Sequence, residues 1–142
     1  MDTIDCIKRV RKSALTLSLM SDSQRNSLLE KIKKALDENR FELKSANEKD
    51  INSAREKGIS DAVLHRLVFD DQKINSCLDS LSSVIKLECP TGKKLAVREL
   101  DEGLILEKVS YPLGVIGMVF EARPDAMVQI ISLAIKSGNG II

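Results

Sequence analysis

Apolar residues recur along the first 90 positions at the three- and four-residue steps of amphipathic helices. Ile4, Ile7, Val10, Ala14 and Leu17 share one helical face. Ser21-Asp22-Ser23-Gln24 has the form of a capping box and predicts the start of a second helix. The inner face of that helix carries Leu28, Leu29, Ile32, Ala35, Leu36 and Leu43, and Glu30 and Lys34 stand one turn apart as a supporting pair. Ser45-Ala46-Asn47-Glu48 predicts another capping box, opening a helix that stops at Gly58. A short helix from Asp61 to Val68 comes next. A longer one follows, marked by Ile74, Cys77, Leu78, Leu81, Val84 and Ile85 and closed before Pro90.

After Pro90 the period changes. Leu95-Ala96-Val97-Arg98 and Leu104 to Val109 bracket Asp101-Glu102-Gly103, the pattern of a β-hairpin. Leu113 to Phe120 is an almost continuous apolar run, which predicts a strand buried on both faces, as in a parallel sheet. Pro124 suits the first turn of a helix whose inner face is Ala126, Ile130, Leu133 and Ala134. Ser137-Gly138-Asn139-Gly140 stops it, with Asn139 expected in the left-handed region, and Ile141 and Ile142 begin another strand. Residues 113–142 thus spell a β-α-β unit whose second strand has only opened. A hairpin and one buried strand cannot make a covered sheet, so the expectation is an α/β chain that stops inside its own fold.

Composition narrows the function classes. The net charge of +1 gives no whole-molecule field for nucleic acid or an anionic membrane. No apolar run reaches the ~20 residues of a membrane helix. Aromatics at 3%, with no Trp, argue against base-stacking platforms. Cys6, Cys77 and Cys89 are odd in number and lack CxxC spacing, which argues against a disulfide framework and a Cys-based zinc site. His65 is the single histidine and reads as a surface helix residue. Asp2 and Asp5 occupy the place of a signal peptide's positive segment, so the expected location is a reducing, cytoplasmic compartment.

Several short motifs fail on spacing. Gly114-Val115-Ile116-Gly117 lacks the GxGxxG pattern, and Thr91-Gly92-Lys93-Lys94 lacks the upstream glycine and following hydroxyl of a phosphate loop, leaving a solvated turn. Lys8-Arg9-Val10-Arg11-Lys12 flanks an apolar-face residue and reads as a solvated rim.

The segment Tyr111-Pro112-Leu113-Gly114-Val115-Ile116-Gly117-Met118-Val119-Phe120-Glu121-Ala122-Arg123-Pro124 resembles the signature of the γ-glutamyl phosphate reductases, or glutamate-5-semialdehyde dehydrogenases, of the aldehyde dehydrogenase superfamily. Ala46-Asn47-Glu48-Lys49-Asp50, Arg98-Glu99-Leu100-Asp101-Glu102-Gly103-Leu104 and Ser132-Leu133-Ala134-Ile135-Lys136-Ser137-Gly138-Asn139 agree in the same order, so the likeness spans nearly the whole chain. Arg123-Pro124-Asp125 with Gly138-Asn139-Gly140 is closer to the reductase half of eukaryotic bifunctional pyrroline-5-carboxylate synthases, while the start at Met1 favours a stand-alone reductase. The resemblance implies three parts: a helical N-terminal region of the cofactor domain in 1–90, a β-hairpin oligomerisation arm in 91–110, and the truncated start of a Rossmann-like βαβ in 111–142.

It also implies a reaction, the NADPH-dependent reduction of γ-glutamyl phosphate to glutamate 5-semialdehyde and phosphate in proline biosynthesis. In that chemistry a Cys thiolate attacks the acyl phosphate, phosphate leaves, and hydride reduces the thioester. The family's catalytic Cys lies beyond residue 142, as do its cofactor-loop Lys and Gly-Gly, so this stretch alone is expected to be inactive. Cys6 and Cys77 occupy apolar helical positions and Cys89 precedes a proline; none matches the family's nucleophile. What remains is Phe120-Glu121-Ala122-Arg123, leaving the carboxyl end of a strand, where open α/β sheets bind ligands. By resemblance this loop lies along the nicotinamide half of NADP, and its four residues are the expected cofactor-binding set. The superfamily's oxyanion Asn is replaced around Ala122-Arg123. Arg123 can pair with a phosphate or carboxylate through its planar fork, or form a structural ion pair with Glu121 or Asp125. Asp125 beside Pro124 reads as a dipole-matched cap. No metal is expected. A non-catalytic helical interaction protein derived from a reductase is the competing reading.

Overall fold

The computed structural model describes residues 2–142, in six helices and four strands. Helix α1 (Thr3–Leu19) is capped by the Asp2 carboxylate. Helix α2 (Asp22–Glu38) starts at the predicted capping box: the Ser21 hydroxyl accepts from the Gln24 N–H at 3.2 Å and the Gln24 Oε1 accepts from the Ser21 N–H at 2.8 Å. Helix α3 (Arg40–Glu56) follows after Asn39 alone, α4 (Asp61–Leu67) is one short piece, and α5 (Asp71–Lys86) is capped by Asp70.

The second predicted capping box is overturned. Residues 45–48 lie inside α3, because Asn47 sits one helical period from Leu43 and Ile51 and faces inward. It is buried, donates to the Leu67 carbonyl at 2.9 Å and accepts from the Phe69 N–H at 2.7 Å. These bonds satisfy two backbone groups where the chain turns from α4 into α5. Leu43 accordingly belongs to α3, Ala35 is exposed, and the ion pair on α2 is Lys34–Glu38 at 3.6 Å rather than Glu30–Lys34.

The core sits where α5 packs between α2 and helix α6 (Pro124–Ser137). Leu29, Ile74 and Leu81 are fully buried there, with Val128 and Ile135 of α6 against them. Each such side chain contributes about 1.5–3 kcal/mol by leaving water. Helix α1 packs lightly by comparison. Ala14 is its buried residue, while Ile4 and Ile7 are exposed and Cys6 is half-buried rather than buried as its position predicts.

Strands β1 (Lys94–Asp101) and β2 (Leu104–Val109) form the predicted antiparallel hairpin, and every residue of both is exposed. Its root is closed by Ser110. The Ser110 hydroxyl donates to the Pro90 carbonyl at 2.8 Å and accepts from the Lys93 N–H at 3.0 Å. Thr91 is not a solvated turn residue, since its hydroxyl accepts from the Arg25 guanidinium at 2.8 Å.

Strand β3 (Val115–Ile116), α6 and strand β4 (Gly140–Ile141) form the β-α-β unit, with β3 and β4 parallel. The strand is shorter and more open than the apolar run predicts. Val115 and Ile116 are half-buried, but Leu113 and Val119 are 87% and 101% exposed. Among the described residues β4 is its sole ladder partner, so one edge has no neighbour to cover it. Two further expectations change. Ala134 is buried as expected and Ala126 and Ile130 are half-buried, but Leu133 points outward, and Ser132 and Lys136 are buried in α6 as well. Gly138, not Asn139, takes the left-handed conformation at the helix end (φ 74°), as a residue without Cβ does most readily. Asn139 is buried and engaged elsewhere.

Candidate functional site

The loop after β3 is held at its start by the strand ladder, through the Met118 N–H donating to the Ile142 carbonyl at 2.8 Å. It ends where Pro124 enters α6 at the first turn. Phe120, Glu121 and Arg123 are exposed and Ala122 is half-buried, so the four expected residues lie together at the carboxyl end of β3. Ala122 has φ 49°, the one positive-φ residue other than glycine among those described. That conformation is uncommon for an alanine and marks a sharply turned loop.

Arg123 is the residue preceding α6, with no side-chain bond capping the helix. The structural alternative for it does not hold: among the described residues no ion pair joins it to Glu121 or Asp125. Asp125 stands in the first helical turn but caps nothing, and its Oδ1 lies 4.0 Å from the Lys73 ammonium. The helix start therefore presents uncapped N–H groups and a free guanidinium fork, a combination that favours an anion.

The thiols are elsewhere. Cys77 is 1% exposed, and burial, followed by the nearby Asp125 charge, pushes its thiol up from the ordinary range, away from a reactive thiolate. Cys89 contacts Thr91 at the hairpin root. Cys6 lines a groove of about 670 Å³ between α1, α6 and β4, with Val10, Leu17, Ile131 and Ile135 around it. No group of His, Cys, Asp and Glu among the described residues can hold a metal ion, His65 is exposed, and no helix is long and apolar enough to cross a membrane.

The other end of α6 is fixed by buried charge that the sequence reading missed. The Arg25 guanidinium, 2% exposed, donates to the carbonyls of Ser18 at 3.2 Å, Leu17 at 3.4 Å and Lys136 at 3.3 Å as well as to Thr91. The Lys136 ammonium, equally buried, donates to Asn26 Oδ1 at 2.9 Å and the Ile85 carbonyl at 3.3 Å and pairs with Asp22 at 2.8 Å. That contact holds the Asp22 carboxyl below its ordinary range. The signal was present: Arg25 falls on the same helical stripe as Leu28, Leu29, Ile32 and Leu36, and a charge on an apolar stripe announces a buried partner.

No protein-family model matches the chain. A curated relative from Acetivibrio thermocellus, named γ-glutamyl phosphate reductase, is 43% identical over 134 residues, 94% of this chain and 31% of its own length. One from Natronomonas pharaonis with the same name is 46% identical over 140 residues, 96% of this chain and 32% of its own length. The crystal structure of γ-glutamyl phosphate reductase from Thermotoga maritima superposes with a TM-score of 0.94 at 33% identity, covering 97% of this chain and 33% of that one. The chain is similar to a third of γ-glutamyl phosphate reductase. The yeast γ-glutamyl phosphate reductase structure agrees, with a TM-score of 0.92 at 38% identity over 99% of this chain and 36% of its own. The α/β arrangement of helices, hairpin and β3-α6-β4 is thus the arrangement of the matching third of those reductases.

Proposed function

We propose that this chain is the N-terminal part of an NADPH-dependent γ-glutamyl phosphate reductase, which forms glutamate 5-semialdehyde and phosphate in the cytoplasmic synthesis of proline. The supporting observation is the agreement of sequence and fold together: 43% identity across 94% of the chain and a TM-score of 0.94 across 97%. The dinucleotide, when bound, supplies the hydride. Phe120, Glu121, Ala122 and Arg123 flank it, and the uncapped start of α6 with the Arg123 guanidinium orients an anionic group of cofactor or substrate. Asp125 in that turn faces Lys73, which offsets its charge. The nucleophilic thiolate belongs to a residue outside this chain, because Cys77 is buried and Cys6 and Cys89 stand apart from the loop. The hairpin serves a homo-oligomer contact. Val97 and Ile105 lie exposed on one of its faces and Leu106 on the other, an apolar two-stranded edge of the kind that proteins cover.

The test assays the longest natural polypeptide carrying this sequence for NADPH oxidation dependent on γ-glutamyl phosphate. Turnover is expected, and Arg123→Ala should lower kcat/KM by about tenfold or more, the loss of one charge-assisted contact. No turnover in the unsubstituted protein refutes the reading. Unchanged kinetics in the variant remove Arg123 from the site.

A further inference from the structure

We infer that Asn139 is a positioning residue for the loop Phe120–Arg123, acting through the Gly114 peptide rather than by touching a ligand. The inference rests on the proposed function only for what the loop does. The clamp itself stands on geometry.

Strands β3 and β4 pair at Val115 with Gly140 and Ile116 with Ile141, and their backbone bonds reach no further than Gly114 at one end and Met118 at the other. A ladder this short specifies its register weakly. A slip of two residues keeps every side chain on its own face, yet moves the chain about 6.6 Å along the strand, at ~3.3 Å per residue. Such a slip would displace the start of the loop while its end stays fixed to α6.

Asn139 removes that freedom. Its Oδ1 accepts from the Gly114 N–H at 2.9 Å, and its Nδ2 donates to the Ser137 hydroxyl at 2.8 Å, which fixes the way the amide faces. The next residue, Gly140, donates its N–H to the Gly114 carbonyl at 2.8 Å. Consecutive residues therefore hold both polar groups of Gly114. Gly114 has φ 115°, a conformation that L side chains rarely adopt. Two positions earlier stands Pro112, which has no N–H to offer. Two positions later stands Ile116, a β-branched residue for which that φ is an outlier. One slipped register offers the Asn139 amide oxygen no N–H at all, and the other offers one only with strain at Ile116.

The turn carrying Asn139 is itself walled in. A Cβ on Gly138 would lie 3.0 Å from Pro112 Cγ and 3.1 Å from the Arg25 Cζ, and one on Gly140 would lie 2.9 Å from the Ala14 Cβ. The beginning of β3 and the end of α6 thus meet at one side chain, and the loop closes the opposite end of the unit between fixed points.

The test again uses the longest natural polypeptide carrying this sequence, with hydrogen exchange read by segment and turnover read separately. In Asn139→Ala, segment 113–118 should exchange about tenfold faster or more, while α2 and α5 keep their protection. Its kcat should fall about tenfold, with KM for NADPH changed far less, as misplacement predicts. Asn139→Asp keeps the accepting oxygen but sets a second, anionic oxygen against the Ser137 carbonyl, so it should recover the protection and the turnover only in part. Ser137→Ala removes the shorter of the two Asn139 amide donor bonds, leaving the one to the Ser137 carbonyl at 3.4 Å, and gives a milder effect of the same sign should Asn139→Ala not fold. Unchanged exchange at 113–118 in the folded variants overturns the clamp. Faster exchange with unchanged kcat overturns its link to the loop. An unsubstituted protein without turnover refutes the proposed function alone, and the exchange result still decides the clamp.

Discussion

Asp22 and Lys136 face each other across 2.8 Å, but their surroundings differ: the lysine side chain is 3% exposed and the aspartate 35%. Asp22→Asn leaves the ammonium with Asn26 and a carbonyl for company. Removing one partner of a fully buried pair costs about 3–5 kcal/mol. Water on the Asp22 side screens this one, so the expected loss is about 1–3 kcal/mol at pH 7. The Lys136 bond and charge hold the Asp22 carboxyl low, so its stabilisation is complete above the unfolded value near ~4 and fades as pH falls through the lower folded value. Urea melts at pH 7 and pH 3 should show wild type and Asp22→Asn far apart at the first and converging at the second. A constant gap would assign the loss to packing. At this scale the sequence was half legible. The Ser21 box and the reading of Cys77 as an inert thiol followed from local rules, whereas Ser45 and Glu48 mimicked a capping box inside α3, and the role of Asn47 was hidden because its partners, Leu67 and Phe69, lie 20 and 22 residues on.

Elements reveal which apolar patterns meant contact. The hairpin was recognisable because turn chemistry and alternation are local, and β2 matches its predicted span. The run from 113 to 120 read as a buried strand because apolar character encodes the need for cover, and the described residues supply only β4. Helix α6 was found by its Pro124 and Gly138 ends, and of its expected inner face Ala126, Ile130 and Ala134 are at least half-buried while Leu133 is not. The helix is apolar on both sides, and the side that packs on α2 and α5 admits Ser132 and Lys136 through their hydrogen bonds. If the hairpin makes the oligomer contact, replacing residues 95–108 with a short Gly-Ser linker in the longest natural polypeptide should give a monomer by light scattering. The helical signal should survive, because the arm touches the body mainly through its root, at Arg25–Thr91 and Ser110–Pro90. An unchanged oligomer would move the interface elsewhere.

Across the whole molecule, one side is finished and the other is open. The α2-α5-α6 core is closed, while Leu113, Val119, Met127 and Leu133 are exposed and a groove of about 670 Å³ opens between α1, α6 and β4. The loop Phe120–Arg123 was placed by the sequence because strand, proline and helix follow one another there. The Arg25–Lys136 centre was not, because it joins residues 111 apart. The isolated 142 residues are expected to show no NADPH oxidation with γ-glutamyl phosphate, since the loop lacks a neighbouring thiolate. Measurable turnover by this stretch alone would place the chemistry within it and revise the roles of Cys6 and Cys89.

The hydrogen bond from Gly114 to Asn139 spans 25 residues, and that interval sets an order of events during synthesis. As the polypeptide leaves the ribosome, its stickiest segment emerges well before the side chain that will secure it. Until α6 has formed and residues 139–142 have followed, 113–120 is a naked β-prone stretch, open to chaperones and to neighbouring nascent chains. Slowed translation while 113–120 is already outside the ribosome and 139–142 still inside its exit tunnel would prolong that exposure and lower the soluble yield.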